Sequence, residues 1–206
     1  MSRCEAEHYV ERRMVVRSFL GRAAIMLAVA VYAAPTLAQS VAPAGYSDTL
    51  RWYHRQAAAG DARAQFLLGI KYETGTDVER DLARAAELYE RAARQGLADA
   101  QFKYATMLQT GRGHAHDITG AETWYRAAAL RDHAPAQFNL GVMLINKAQS
   151  DDDSAEGLSW LIRSSRTGLA PARALVEKLT DIHSEDIVRS ARTLAELPLA
   201  DVSNER

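Results

Sequence analysis

The 206-residue sequence predicts an all-α fold, a right-handed superhelix built from helical hairpins of 36 residues. The first observation behind this prediction is the triplet Ala-Gln-Phe, which begins at Ala64, Ala100 and Ala136, always 36 residues apart. A degenerate copy begins at Ala172, another 36 residues on. A strict spacing of this length is typical of stacked hairpins that bury their apolar faces only against their neighbours. Such a solenoid offers a long surface for a partner and has no inherent catalytic cleft.

The second observation is that further columns of the sequence keep the same 36-residue register. They consist of an aspartate, a small residue, an aromatic pair and a closing residue that is glycine in most copies. Chance would not keep so many columns in phase, so the repeat is well defined. Its members are Asp81, Asp117 and Asp153; Ala85, Ala121 and Gly157; Trp52, Leu88, Trp124 and Trp160; Tyr53, Tyr89, Tyr125 and Leu161; and Gly60, Gly96, Asp132 and Gly168.

Each repeat is expected to contain two helices. The first carries the Ala-Gln-Phe triplet and ends at a turn, which Gly75 and Gly111 mark in two of the units. The second helix begins at the aspartate column. The expected helices cover 47–59, 61–74, 81–95, 98–109, 117–131, 134–147, 153–167, 170–181 and 184–196, which makes nine helices and no strand.

The expected helix ends have their own signals. Asp81, Asp117 and Asp153 stand where N-caps belong, because a short carboxylate accepts hydrogen bonds from the free N–H groups of the first turn. Gly96 and Gly168 follow second helices, at a position where a left-handed backbone conformation favours glycine.

Residues 1–38 have the features of a secretory signal peptide. Arginines precede an uncharged stretch over 23–34, and the small-residue sequence of 36–38 offers a cleavage site before Gln39. The alternative is a retained membrane anchor, although this stretch of 12 residues is shorter than the roughly 20 that span a bilayer. Met14 is an alternative start. Cleavage would remove Cys4, the single cysteine, and would place the protein in the periplasm or outside the cell.

After the signal peptide we expect a linker over 39–46, a solenoid over 47–196 and a flexible tail over 197–206. The mature chain would carry 20 basic and 23 acidic residues, spread over nearly every helix. This balance argues against a nucleic-acid-binding face, which needs a concentrated basic patch. The solenoid divides into a half unit over 47–60, units over 61–96, 97–132 and 133–168, and a degenerate unit over 169–196.

The repeat resembles the Sel-one-like repeat family, a branch of the tetratricopeptide-like solenoids. The period supports this resemblance, because ordinary tetratricopeptide units are two residues shorter. It implies a non-catalytic adaptor that binds a protein or peptide and acts in envelope regulation, secretion or polysaccharide export. In the first unit the resemblance rests on Ala64, Gln65, Phe66, Leu67, Leu68, Gly69, Tyr72, Gly75, Val78, Asp81, Ala85, Tyr89, Ala92, Ala93 and Gly96.

The positions that vary between copies of the first helix fall on one side of a helical wheel, opposite the positions that stay alike. In related solenoids the first helices line the concave surface, so we expect the variable positions to contact a partner. An ordinary solvent-exposed face is the alternative interpretation. The candidate binding residues are Arg63, Leu67, Ile70, Lys103, Thr106, Asn139 and Val142.

The remaining polar motifs favour structural roles. The string from His114 to Asp117 contains metal-ligand types, but it lies in a turn and a zinc site would need a further ligand. The acidic run 151–153 lacks the alternating ligands of a calcium loop. We therefore predict no catalytic residue, no cofactor and no metal. A scaffold is favoured over two alternatives, a cell-envelope hydrolase and a membrane-tethered component of a larger envelope complex.

Overall fold

The computed structural model describes residues 47–199, and the regular structure in that range is helical, with no strand. The described residues form nine helices, as the repeat predicts. Each helix except the last packs mainly against its neighbours along the chain, which is the arrangement of a helical-repeat superhelix, and the last helix packs on the helix two before it. The helices are α1 (Asp48–Ala58), α2 (Ala62–Thr74), α3 (Leu82–Arg94), α4 (Ala98–Thr110), α5 (Ile118–Ala129), α6 (Ala134–Lys147), α7 (Asp151–Arg166), α8 (Ala170–Ile182) and α9 (Glu185–Glu196).

Two of the three predicted aspartate caps are confirmed. Asp81 accepts a hydrogen bond from the Arg84 amide at 2.9 Å, and Asp117 accepts one from the Gly120 amide at 2.9 Å. In the first turn of each helix, such a bond satisfies an amide that has no partner within the helix.

The prediction for Asp153 is wrong, because Ser150 caps α7 and the helix already begins at Asp151. The third unit has Lys147 where the others have a turn glycine, and only three residues separate α6 from α7. The second helix therefore starts early and takes Asp153 into its first turn. There the Asp153 amide donates to the Ser150 hydroxyl at 3.1 Å, and the Asp153 carboxylate accepts from the Gln149 amide at 3.2 Å.

Small residues on the first helices let the second helices approach closely. A Cβ atom added to Gly69 would lie 2.7 Å from the Tyr89 ring, and one added to Gly141 would lie 2.7 Å from Leu161. Ala105 takes the same place in the second unit and is fully buried. Each hairpin therefore packs a large side chain of the second helix onto a small residue of the first.

The repeated glutamines join one hairpin to the next. The side-chain amides of Gln65, Gln101 and Gln137 donate to the carbonyls of Ala57, Ala93 and Ala129 at 3.1, 3.1 and 3.2 Å. These glutamines are at most 4% exposed. Each of these carbonyls also accepts a backbone hydrogen bond, from the amide of Gly60, Gly96 or Asp132. The glutamine is therefore a second donor, and the bond satisfies a side-chain amide that would be costly to bury without a partner.

The C-terminal end of the array is closed by arginines of α7. Arg163 donates to the carbonyls of Leu194 and Leu197 at 2.7 and 2.6 Å, and Arg166 donates to the Ala195 carbonyl at 3.0 Å. Positive charge at the C-terminus of α9 also opposes the negative end of its dipole. The first residue of the predicted tail, Leu197, is thus bonded to the solenoid.

Candidate partner-binding face

The seven candidate binding residues lie on α2, α4 and α6, and we call this surface the first-helix face. Arg63 and Leu67 are exposed, with 40% of Leu67 accessible. The neighbouring Ala64 and Gln65 point the other way and are buried. A role of the first-helix face in binding stays a prediction. Its half-buried members are Ile70, Lys103, Thr106, Asn139 and Val142.

In the first two units, Lys103 takes part in a polar network with a buried tyrosine. The Tyr89 hydroxyl donates to Glu73 at 2.6 Å, and the Lys103 ammonium binds the same carboxylate oxygen at 3.0 Å. Burial alone would raise the pKa of Glu73, but the hydrogen bonds from Tyr89 and Lys103 outweigh it, so this pKa is lowered. The pKa of Tyr89 is raised, first by burial and then by Glu73. Lys103 is therefore a bridge between hairpins as well as a surface cation.

The second and third units repeat this arrangement with neutral groups. The Tyr125 hydroxyl donates to the Gln109 side chain at 2.8 Å and lies 3.0 Å from the Thr106 hydroxyl. Asn139 forms a further hydrogen bond to Tyr125, whose pKa is raised by burial. Thr106 and Asn139 thus support a buried phenol from the first-helix face.

The third unit replaces this network by apolar packing. Leu161 takes the tyrosine column and is fully buried, while Ile145 takes the column of Glu73 and Gln109. Val142 and Ile145 both pack against the C-terminal apolar cluster. The column beside the first-helix face therefore changes from charged Glu73 to neutral Gln109 to apolar Ile145 along the array.

Sequence reasoning missed Glu73 and Gln109, which lie beside the candidate residues and hold the tyrosines. A signal was present, because two columns change together from unit to unit. The pairs are Glu73 with Tyr89, Gln109 with Tyr125, and Ile145 with Leu161. A polar residue occurs where the second helix offers a hydroxyl, and an apolar residue occurs where it offers a leucine.

The histidine string stays outside this face. Asp117 caps α5, and the His114 ring packs edge-on against Tyr104 with ring centroids 5.8 Å apart. Over residues 47–199, no group of three or more histidine, cysteine, aspartate or glutamate side chains is arranged to hold a metal ion. None of the helices in this same part of the chain is both long enough and apolar enough to cross a membrane.

The aromatic columns pack inside the hairpins. Tyr89, Tyr125 and Trp160 are fully buried, and Trp124 contacts Tyr104 edge-on with ring centroids 5.7 Å apart. Phe66 and Phe102 lie 5.7 and 5.8 Å from the tyrosine rings of their own units. These columns stabilise the hairpins, apart from Trp52 at the N-terminal end, which is 49% exposed.

Comparison with known proteins gives the same account of the repeat. The Sel1 repeat model matches three successive stretches, residues 62–97, 98–133 and 134–166. Each stretch begins at a first helix and ends at, or shortly after, the end of the following second helix. A comparison with curated protein sequences gave no match.

Two solved structures share the fold. The crystal structure of a Sel1 repeat protein from Oxalobacter formigenes is 27% identical, with a TM-score of 0.58 over 64% of this chain and 99% of that one. The protective antigen c5321 of uropathogenic Escherichia coli displays an SLR fold and is 25% identical, with a TM-score of 0.63 over 75% of this chain. The match spans 34% of c5321, about a third of its length. With three matching repeats over about half of its length, the chain belongs to the Sel1 repeat family.

Proposed function

We propose that this protein is an exported, non-catalytic scaffold that holds a protein or peptide partner on its first-helix face. Sel1 repeat proteins generally mediate protein–protein interaction and are typically non-catalytic scaffolds. The observation that carries the proposal for this chain is the contrast between its buried and its accessible columns.

The buried columns of the first helices are nearly uniform, whereas the columns of the candidate residues, which begin at Arg63, Leu67 and Ile70, differ in every unit. Gln65, Gln101 and Gln137 repeat the same residue and the same hydrogen bond. The accessible column that begins at Leu67 continues with Lys103 and Asn139. Uniform columns serve packing between units, while a surface that differs at each step can recognise a partner with a defined order of side chains.

The chemistry of the face also limits the partner. Units one and two offer Arg63, Lys103 and Glu73, whereas the corresponding part of α6 carries no charge and contributes Val142 and Ile145. A partner that fits these side chains has charged groups near Arg63, Lys103 and Glu73. It also has apolar side chains against Leu67 of α2 and against Val142 and Ile145 of α6. Complementary charges would set its direction along the groove more than its affinity.

Export is the second part of the proposal. It rests on residues 1–38, which lie outside the described residues, and on the small-residue sequence before Gln39. The mature protein would then act in the periplasm or outside the cell, in envelope regulation, secretion or polysaccharide export. A mass measurement of the purified protein separates cleavage at this site from retention of the apolar stretch as an anchor.

The binding face is best tested at residues that hold nothing else in place. Lys103 and Asn139 are poor choices, because each supports a buried tyrosine. Arg63→Glu with Leu67→Glu alters two exposed side chains for which the structure shows no hydrogen bond, and Arg91→Glu on the exposed side of α3 is a matched charge control.

The experiment is crosslinking in living cells followed by recovery of the tagged protein and mass spectrometry of its companions. We expect one or two stoichiometric partners that the Arg63→Glu, Leu67→Glu double variant loses and the Arg91→Glu variant keeps. Circular dichroism checks that both variants are folded. Undiminished recovery of the same partners by a folded double variant would contradict the proposed face.

A further inference from the structure

The N-terminal helix α1 presents an aromatic face that the repeat normally covers. By the 36-residue register α1 corresponds to the second helices α3, α5 and α7. Within the described residues, no first helix precedes it. Four positions of α1 fall in columns that contact the first helix of the same hairpin in the complete units. These positions define the α1 face: Thr49, Trp52, Tyr53 and Gln56.

The contacts of two of these columns show what is missing. In the column of Trp52, Trp124 packs on Tyr104 of its own first helix, with centroids 5.7 Å apart. In the column of Tyr53, Tyr89 lies so close to Gly69 that an added Cβ would come within 2.7 Å of its ring.

The other two columns lead to the same conclusion. In the column of Thr49, a Cβ atom on Gly157 would lie 2.9 Å from Ile145. In the column of Gln56, the Ser164 hydroxyl donates to the Ala134 carbonyl at 2.8 Å. All four columns therefore face the first helix of their own hairpin.

The side chains of the α1 face are more exposed than their counterparts in the complete hairpins, because no first helix covers them in the described part of the chain. Tyr89, Tyr125 and Trp160 are fully buried. Trp52 is 49% exposed, Thr49 is exposed, and both Tyr53 and Gln56 are half-buried. Trp52 and Tyr53 pack edge-on with ring centroids 5.2 Å apart. A partly exposed pair of aromatic side chains is typical of an interface that is open to a partner.

After the cleavage proposed above, the chain itself cannot supply the missing helix. Only eight residues, 39–46, would remain before Ser47, whereas the first helices α2 and α4 each have 13 residues. A second copy of the chain is also a poor fit. In the two hairpins whose second helix has tyrosine in this column, a glycine or alanine of the first helix lies opposite the tyrosine. The α1 face of a second copy carries neither residue.

We propose that the α1 face binds a single helix of a partner protein, which completes the half unit as its first helix. The bound helix would run antiparallel to α1, as first and second helices do in a hairpin. It would place glycine or alanine against Tyr53 and a large apolar side chain, one position earlier, against Trp52. The chain shows this pattern in Leu68-Gly69, Tyr104-Ala105 and Leu140-Gly141. The inference rests on the proposed cleavage but is independent of the first-helix face.

The probe is a synthetic peptide with the sequence of residues 97–111, because its natural neighbour in the fold is the same Trp-Tyr pair, Trp124-Tyr125. The measurement is two-dimensional NMR of the labelled mature protein during titration with the peptide. We expect shifts at Thr49, at Tyr53 and at the indole N–H of Trp52. The matched control peptide carries Ala105→Leu, which is more apolar and has similar helix propensity, but its larger side chain would collide with Tyr53.

Two protein variants complete the test. Trp52→Ala should weaken peptide binding roughly tenfold, as the loss of a buried aromatic anchor does. Arg63→Glu on the first-helix face should leave peptide binding unchanged, because the residue of the same column in the second unit, Asp99, contacts His133 at the start of the following unit and not the preceding hairpin. Failure here and failure of the proposed function are therefore distinguishable. Three results would overturn the inference: no shifts on α1, equal or tighter binding of the Ala105→Leu peptide, or a Trp52-dependent dimer in analytical ultracentrifugation, which would make a second copy the occupant.

Discussion

Gly113 lies in the turn between α4 and α5, and its Cα approaches the first residue of α3 in the preceding unit. A Cβ atom at this position would lie 2.1 Å from the carbonyl oxygen of Leu82 and 2.5 Å from its carbonyl carbon. The backbone of Gly113 also has a φ of +74°, in the left-handed region. Gly113→Ala therefore introduces two costs, one from backbone conformation and one from contact with the backbone of another hairpin.

The two costs can be estimated separately. An alanine at positive φ costs about 1–2 kcal/mol. Forcing a methyl group into a closely packed site costs typically about 1–3 kcal/mol, because a backbone segment must shift. We therefore expect Gly113→Ala to lower the free energy of unfolding by about 2–5 kcal/mol.

Gly168→Ala is the matched control, because Gly168 has a φ of +90° and no heavy atom within 4 Å of an added Cβ. It should cost only the backbone term, about 1–2 kcal/mol. Urea unfolding followed by circular dichroism measures both variants, and similar m-values would make the free energies comparable. Equal losses for the two variants would refute the reasoning, since they would mean that the turn of the second unit does not press against α3.

Three further predictions concern single side chains. Tyr89→Phe should lower the free energy of unfolding by about 1.5–3 kcal/mol, because the hydroxyl of Tyr89 donates to a carboxylate. Tyr125→Phe should lower it by only about 0.5–1.5 kcal/mol, because the hydroxyl of Tyr125 bonds to neutral groups. Urea unfolding of the two variants measures the difference. His133 caps α6 through its ring, and burial lowers its pKa despite Asp99. Its contribution to stability is therefore full above its unfolded pKa of about 6.5 and is lost as the pH falls through the lower folded pKa. His133→Asn keeps a capping side chain and should make thermal stability less sensitive to pH below about 6.5. Arg163→Met should speed amide hydrogen exchange in the last turn of α9 without affecting α2, and equal exchange in both proteins would contradict the capping role.

The positions of the helices could be predicted from the sequence because the repeat supplies the same evidence three times. One period determines where Ala64, Ala100 and Ala136 pack, and the same columns place the turns at Gly75 and Gly111. The glutamines were also predictable, since a buried amide at a fixed place in each unit must have a fixed partner.

Contacts that differ from unit to unit were beyond this reasoning. Lys103 and Glu73 are 30 residues apart, and nothing in the repeated columns places one against the other. The same holds for the cap of α7, where the loss of a turn glycine moved the helix start and transferred the cap from Asp153 to Ser150. A period describes what the units have in common, so departures from it require the three-dimensional arrangement.

The glutamine bonds have a consequence for the evolution of the array. Each bond joins a side chain to a carbonyl only eight residues earlier, across a single turn between units. Each block of 36 residues therefore contains one glutamine, which donates to the block before it, and one alanine carbonyl, which accepts from the block after it. Duplication or deletion of a whole block leaves every such joint intact. The length of the protein can thus change in steps of one unit by tandem gene duplication, while the ends are inherited unchanged.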